Sequence, residues 1–568
     1  MRSIRIGAGA GYAGDRIEPA VELAEKGRLD YLVFECLAER TIALAQQEKR
    51  KDPSRGYDPL LSERMRRVLG PCRAGGVKII TNAGAANPVA AAERVREIAR
   101  SLGLAGLRVA AVTGDDVLGQ LEGSLHIQET GGTLADLGDR VISANAYIGA
   151  QPVAEALALN ADVVITGRAA DSAIFMAPLV HEFSWSMEDW TRLGRGTLAG
   201  HLLECAGQIT GGYFADPGHK DVPDLARLGF PIGEVDEDGA LVITKVEGSG
   251  GRVSAATCKE QLLYEIGDPR RYETPDVTAD FTSIALREDG PDRVIVEDAR
   301  GTPPPETLKA GVAWSAGWRV AGTYLVGPPD AEEKARALAE VFWNRAGRFA
   351  ETLTEVFGGE GGGHAFLRLA ARDEDRAKAE AFSRRFASYA LSGPPGLAIP
   401  GGGRPAVVEA FGFWPARVPR GSVSPYVRVG SERFAFGEEA AEGPGAAAAP
   451  LREASRLPEG APLPRGRVPL LALAYARSGD KADTANIGVA ARSEAAYAAL
   501  SRVLTPERVR GVFADECLGD VVRYELPNLR AFNFVLTHAL GGGGALSLRS
   551  DPQGKLFAQR LLATEITL

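Results

Sequence analysis

The chain is short of cysteine and has no long apolar run. Its 568 residues include 5 cysteines, at positions 36, 72, 205, 258 and 517, and none form a C-x-x-C pair. An odd, dispersed set argues against both a disulfide framework and a structural zinc site. No apolar stretch approaches the ~20 residues a membrane-spanning helix needs. An excess of cationic side chains is also missing. With 74 acidic against 65 basic residues the formal net charge is -9, which favours neither nucleic acid nor an anionic membrane as partner. The first residues read as a strand rather than the apolar core of a signal peptide, so a cytoplasmic protein is expected. No H-E-x-x-H pattern occurs, and the glycine clusters 358–363 and 401–403 lack the lysine and hydroxyl of a phosphate loop.

Glycine, by contrast, is abundant: 68 residues, many of them clustered. The first cluster is the most informative. The run Ser3–Ala8 leads into Gly9-Ala-Gly-Tyr-Ala-Gly14 and then Asp15-Arg16-Ile-Glu18-Pro19, which writes strand, turn and helix start in succession. The spacing G-x-G-x-x-G invites a dinucleotide reading, and Glu35, at the end of the next strand, stands where a ribose-binding acid is expected. Against it, Asp15 and Glu18 form the pattern of a capping box, and a carboxylate there competes for the amides a pyrophosphate would use. The turn is then structural, or it borders a ligand with Asp15 and Arg16 as polar contacts.

Up to about residue 210, short apolar strands (Ile4–Ala8, Tyr31–Phe34, Val77–Thr81, Leu107–Val112, Val141–Ala144, Val163–Thr166) alternate with helical patterns such as Val89–Leu102 and Pro152–Leu159. This predicts an α/β fold with a mostly parallel sheet flanked by helices. Residues 211–437 read as an α+β extension, with a hairpin at Asp238-Gly239 and a helix over Ala331–Phe357. Residues 438–466 are rich in Ala, Pro and Gly and read as a linker, and 467–568 as a small α+β domain.

Ligands of parallel sheets sit at the carboxyl ends of the strands. Polar residues there are Glu35, Asn82, Asp115 and Thr166, followed by Arg168, Asp171 and Ser172. Arg168 suits bidentate contact with an anionic group and Asp171 acid–base work, or the two simply pair beside a helix cap. Helical spacing places His201, Glu204, Cys205 and Gln208 on one stripe. His201 and Glu204 are acid–base candidates or buried polar packing, and two ligands alone make an incomplete metal site. In the last domain Arg477-Ser-Gly-Asp480-Lys481, with Asn486, is a solvated loop or a docking site.

These stretches, together with Lys78–Gly84, Gly200–Cys205, Asn486-Ile-Gly-Val489, Ala539–Gly543 and Ser547-Leu-Arg549, resemble the acyclic terpene utilisation A family over nearly the full chain. The tail resembles that family's C-terminal ferredoxin-fold domain, with Ala482 where a glycine is expected after Lys481. The resemblance implies degradation of acyclic terpenoids through CoA thioesters, and it carries over no catalytic residue.

The leading expectation is a catabolic enzyme of hydratase or lyase type on a branched acyl or acyl-CoA substrate. His201, Glu204 and Asp171 are the catalytic candidates. Asp15, Arg16, Glu35, Asn82, Asp115, Thr166, Arg168, Ser172, Asp480, Lys481 and Asn486 are the binding candidates. No motif names a cofactor, and no metal is assigned. A small-molecule substrate and a homo-oligomer are the expected partners. The alternatives are a non-catalytic scaffold subunit and an NAD-dependent oxidoreductase.

Overall fold

The computed structural model describes residues 2–104, 106–127, 132–401, 403–435, 463 and 466–568. The linker expected over 438–466 lies outside the described residues except for 463 and 466.

The first part runs β1 (Ser3–Ala10), α1 (Glu18–Lys26), β2 (Tyr31–Phe34), α2 (Glu39–Lys51), α3 (Leu61–Gly75), β3 (Lys78–Thr81), α4 (Pro88–Ser101) and β4 (Val109–Thr113). It continues through β5 (Val141–Ala146), α5 (Gln151–Ala158), β6 (Val163–Thr166), α6 (Ala173–Phe183) and α7 (Trp190–Leu203). Strands β1, β2, β3, β6 and β4 lie side by side in that order, all parallel. Every residue of β2, β4 and β6 is buried, as strands covered on both faces require. Antiparallel strands extend both edges. Next to β1 lie β7 (Pro231–Asp236) and β8 (Leu241–Lys245), joined by the expected turn with Gly239 at φ +83°. Next to β4 lies Tyr426–Val429. The result is an eleven-stranded sheet whose parallel centre is flanked by antiparallel wings.

Two elements depart from the sequence expectation. Strand β5 leaves the parallel sheet and pairs antiparallel with the 20-residue strand Thr307–Val326 of a second sheet. A parallel neighbour needs a long crossover, usually a helix, but among the described residues between β4 and β5 only short 3₁₀ turns occur, at Leu118–Gln120 and Leu134–Arg140. The helix expected over Ala331–Phe357 ends at Ala346, where Gly347 adopts φ +99°. The remainder, Glu351–Gly358, carries Thr352, Thr354 and Val356 in alternation and is an edge strand of the second sheet. That part has its own aromatic core, with the Phe342 and Phe382 rings 4.8 Å apart and Tyr324 and Phe386 4.2 Å apart.

The last domain is two hairpins (Ala474–Lys481 with Thr484–Ala491, and Val521–Leu526 with Ala531–Leu536), each followed by helix. The second strands of the two hairpins pair antiparallel at the centre. This ββαββα order is the βαββαβ cycle of ferredoxin-like folds with its start moved by one strand. The domain packs against α8 (Ala255–Leu262) and the turn that follows it.

Candidate active site

The strand ends of the parallel sheet carry a buried polar network. After β2, Glu35 accepts from the Leu37 N–H at 2.8 Å and from Asn82 Nδ2 at 2.9 Å, while Asn82 Oδ1 accepts from the Cys36 N–H at 2.7 Å. After β4, Asp115 Oδ2 accepts from Asn145 Nδ2 and from the Arg168 N–H, both at 2.9 Å. The Arg168 side chain, 3% exposed, donates to the Leu37 and Ala169 carbonyls and to Asp171. Its guanidinium also sits 4.3 Å from the centre of the Tyr147 ring. Burial, and then the Asp171 charge, push the Glu35 carboxyl well above the usual range against the pull of Arg168. Thr166 is fully buried and spends its hydroxyl on the Gly167 carbonyl, 3.0 Å away. Glu35, Asn82, Asp115 and Thr166 thus form the floor that fixes Arg168, and Arg168 holds Asp171.

Asp171 is where this floor reaches open space. Its side chain is 31% exposed and lines a cavity of about 130 Å³ together with Ser172, Tyr147, Tyr272, Lys309 and Lys481. Lys309 lies 3.8 Å from Glu39 and 4.9 Å from the face of Tyr147, so that ring has two cations against it. Arg417 pairs with Glu273 at the rim. Lys481 comes from the last domain, 3.7 Å from Glu265 and 46% exposed. Desolvation opposes its charge but is outweighed by the carboxylates, Glu265 foremost and then Glu204 and Asp171, which hold its pKa well above the usual lysine value. It is a persistent cation.

One layer behind lies the histidine. Tyr272 has its ring 5.2 Å from that of His201 and 5.0 Å from Phe281. His201 is fully buried; its Nε2 donates to the Leu262 carbonyl at 3.0 Å and Nδ1 meets Glu204 Oε1 at 3.3 Å. A carbonyl only accepts, so Nε2 carries a proton and the Nδ1–Oε1 contact shares a further one between ring and carboxyl. Burial raises the Glu204 pKa against the hydrogen bond and charge of His201, and its Oε2 has no partner among the described residues. Neither residue lines the cavity. The stripe expected from helical spacing also breaks: α7 stops at Leu203, and Ala206–Gln208 form a separate 3₁₀ turn. Gln208 therefore points elsewhere, accepting from Arg477.

The opening turn is not part of the cavity. Asp15 does not cap α1, whose N-cap is Ile17 without a side-chain bond. It folds back to accept the Gly11 N–H and takes the Arg16 N–H as well, both at 2.9 Å. A β-carbon on Gly9 would lie 2.6 Å from the Phe34 ring, and one on Gly11 2.5 Å from the Cys205 main chain. The glycines are packing joints. Arg16 reaches the Leu228 carbonyl at 2.9 Å. Ser172 occupies the N-cap position of α6 but makes no cap bond.

Docking of the last domain is what delivers Lys481. Arg477 donates to Gln208 and, at 3.2 Å, to Glu260, which also accepts from Lys220 at 2.6 Å. Asn486 accepts from the Glu265 N–H at 2.8 Å and donates to the Leu263 carbonyl at 2.7 Å. Lys555 donates to Tyr264, Glu265 and Asp480. Asn486 is thus an interdomain contact, Asp480 pairs within the last domain with the Lys555 that reaches across, and Lys481 alone of the three lines the cavity. Sequence reasoning missed Tyr147, Tyr272 and Lys309. None stands in a motif; the place of Tyr147 just past the end of β5 was the one available signal.

The model of the acyclic terpene utilisation family protein AtuA matches residues 4–429, and that of the AtuA ferredoxin-like domain matches residues 468–567. No curated protein matches the chain. Among the described residues no helix is long and apolar enough to cross a membrane.

Proposed function

The chain belongs to the acyclic terpene utilisation AtuA family, and from that premise we propose that it is a catabolic enzyme acting on a branched acyl or acyl-CoA substrate by hydratase- or lyase-type chemistry. The observation that carries this reading is the charge pattern of the cavity. A carboxylate, Asp171, is anchored from below by buried Arg168, and a persistent cation, Lys481, enters from the other domain. Asp171 serves as the base, and Lys481 with Lys309 attracts the polar end of the substrate. His201 and Glu204 act through Tyr272 as the wall that positions it. The contribution of Lys481 by the last domain supports an enzyme assembled from two parts, residues 1–437 and 467–568, over a scaffold subunit. Its expected setting is the cytoplasm.

Product analysis on a panel of branched acyl thioesters tests the reading. Asp171→Asn and Arg168→Ala are expected to abolish turnover of whichever member the wild type converts. Unchanged turnover in both variants refutes the site.

A further inference from the structure

We infer that Tyr272 is a further catalytic residue, its hydroxyl forming with the Lys481 ammonium a two-donor clamp on a carbonyl oxygen of the substrate. The substrate class is then a carbonyl compound with a hydrogen on the adjacent carbon. This rests on reading the cavity as the active site.

The Tyr272 ring is held in place, 5.2 Å from His201 and 5.0 Å from Phe281, and its strand pairs with Thr278–Asp280. Its side chain lines the cavity, yet its hydroxyl has no hydrogen-bond partner among the described residues. A half-buried phenol normally finds one. Burial first, then the neighbouring Glu204, raises its pKa, so the phenol stays protonated and can only donate to an anionic oxygen. Lys481 stays protonated for the reason given above. The cavity therefore presents two donors beside one carboxylate. Asp171 gives Oδ1 to Arg168, and its Oδ2 has no partner among the described residues.

That set matches one elementary step. Asp171 takes the proton from the carbon next to the carbonyl. The C–H electron pair becomes a C=C bond, and the carbonyl π pair moves onto oxygen. Tyr272 O–H and Lys481 N–H stabilise the resulting enolate, and the only net transfer is one proton to Asp171. Donors aimed at developing negative charge are the largest single contribution to many such reactions. Loss of the β-substituent, or protonation at another carbon, completes elimination or isomerisation.

The test is hydrogen exchange in D2O, with the full-length chain and the N-acetylcysteamine thioester of 3-methylbutanoate, read by NMR at the carbon next to the carbonyl. Wild type is expected to wash in deuterium, and Asp171→Asn to lose the exchange. Tyr272→Phe keeps the ring and its stacking and is expected to slow exchange about 10²-fold with an unchanged thermal melt. Exchange at the wild-type rate in Tyr272→Phe overturns the clamp and leaves the site reading in place. Binding of the thioester, seen by saturation transfer, without wild-type exchange overturns it as well. Absence of both binding and exchange counts against the clamp and the site reading together.

Discussion

Replacing Glu260 with glutamine strikes the joint that brings the two parts of the active site together. The Glu260 carboxylate is 1% exposed and bridges Lys220, 2.6 Å away, and Arg477, 3.2 Å away, whose side chains are 3% and 2% exposed. A glutamine keeps one acceptor oxygen but turns an N–H₂ donor toward the other cation, leaving two buried positive charges without an anion. Breaking a buried pair in this way costs about 3–5 kcal/mol, whereas an exposed pair such as Lys26–Glu22 contributes at most about 1 kcal/mol. The loss falls on docking, because Arg477 belongs to the last domain while Glu260 and Lys220 belong to the first. A chain with several cores does not unfold in one step, so global melts average the effect away. Amide hydrogen exchange read peptide by peptide resolves it. The opening free energy of 474–481 is expected to fall by about 3–5 kcal/mol while that of 3–10 holds. Changing all three residues to Met removes the charges together and is expected to recover most of the loss. A drop below about 1 kcal/mol in Glu260→Gln refutes the reasoning.

Burial lifts Asp276 to about 6 from the ordinary 3.8, against the Ala150 N–H and Arg420. The folded state therefore holds its proton more tightly than the unfolded one. Stability is full below the lower value and falls as pH rises through the higher one, by about 3 kcal/mol in all. Asp276→Asn is expected to flatten the pH dependence of the opening free energy of 150–158, read by amide hydrogen exchange, over that window, and an unchanged slope contradicts this. Ala482 sits at φ +53°, where the family resemblance anticipates glycine. Ala482→Gly is expected to stabilise the last domain by about 1 kcal/mol in urea melts, and a loss of stability contradicts the strain. Gly11→Ala places a β-carbon 2.5 Å from the Cys205 carbonyl carbon. It is expected to lower the opening free energy of 3–10, read by amide hydrogen exchange, by about 1–3 kcal/mol, and a value equal to wild type contradicts the packing-joint reading.

The parallel centre was legible because each strand is a continuous apolar run set between helical patterns, and only burial on both faces produces that. Strand β5 was mistaken for another member because its own residues carry no mark of the sheet they join. The information lies in the connection before it, where the described residues form 3₁₀ turns and no crossover helix. At the site, the polar residues of the strand ends were visible, and Arg168 and Asp171 fall together as their spacing suggested. Their division of labour was not visible, because whether a polar group faces a floor or a cavity depends on what covers it. Tyr272, Lys309 and Lys481 cover it, from segments far apart in the chain. The Asp15–Glu18 pattern misled for a local reason: Asp15 spends its carboxylate on the amides of Gly11 and Arg16, and the helix starts two residues later with Ile17 at its N-cap. His201 and Glu204 do meet, but Tyr272 stands against the His201 ring and it, not they, lines the cavity.

The central claim is that one small-molecule site is built by Asp171 from one domain and Lys481 from the other. Native mass spectrometry of the purified full-length chain, alone and with a branched acyl thioester, tests it most directly. Wild type is predicted to hold one acyl compound per chain, and Asp171→Asn and Lys481→Ala to lose it with their thermal melts intact. Retention of the compound by both variants, or its loss on Arg16→Ala instead, would contradict the account.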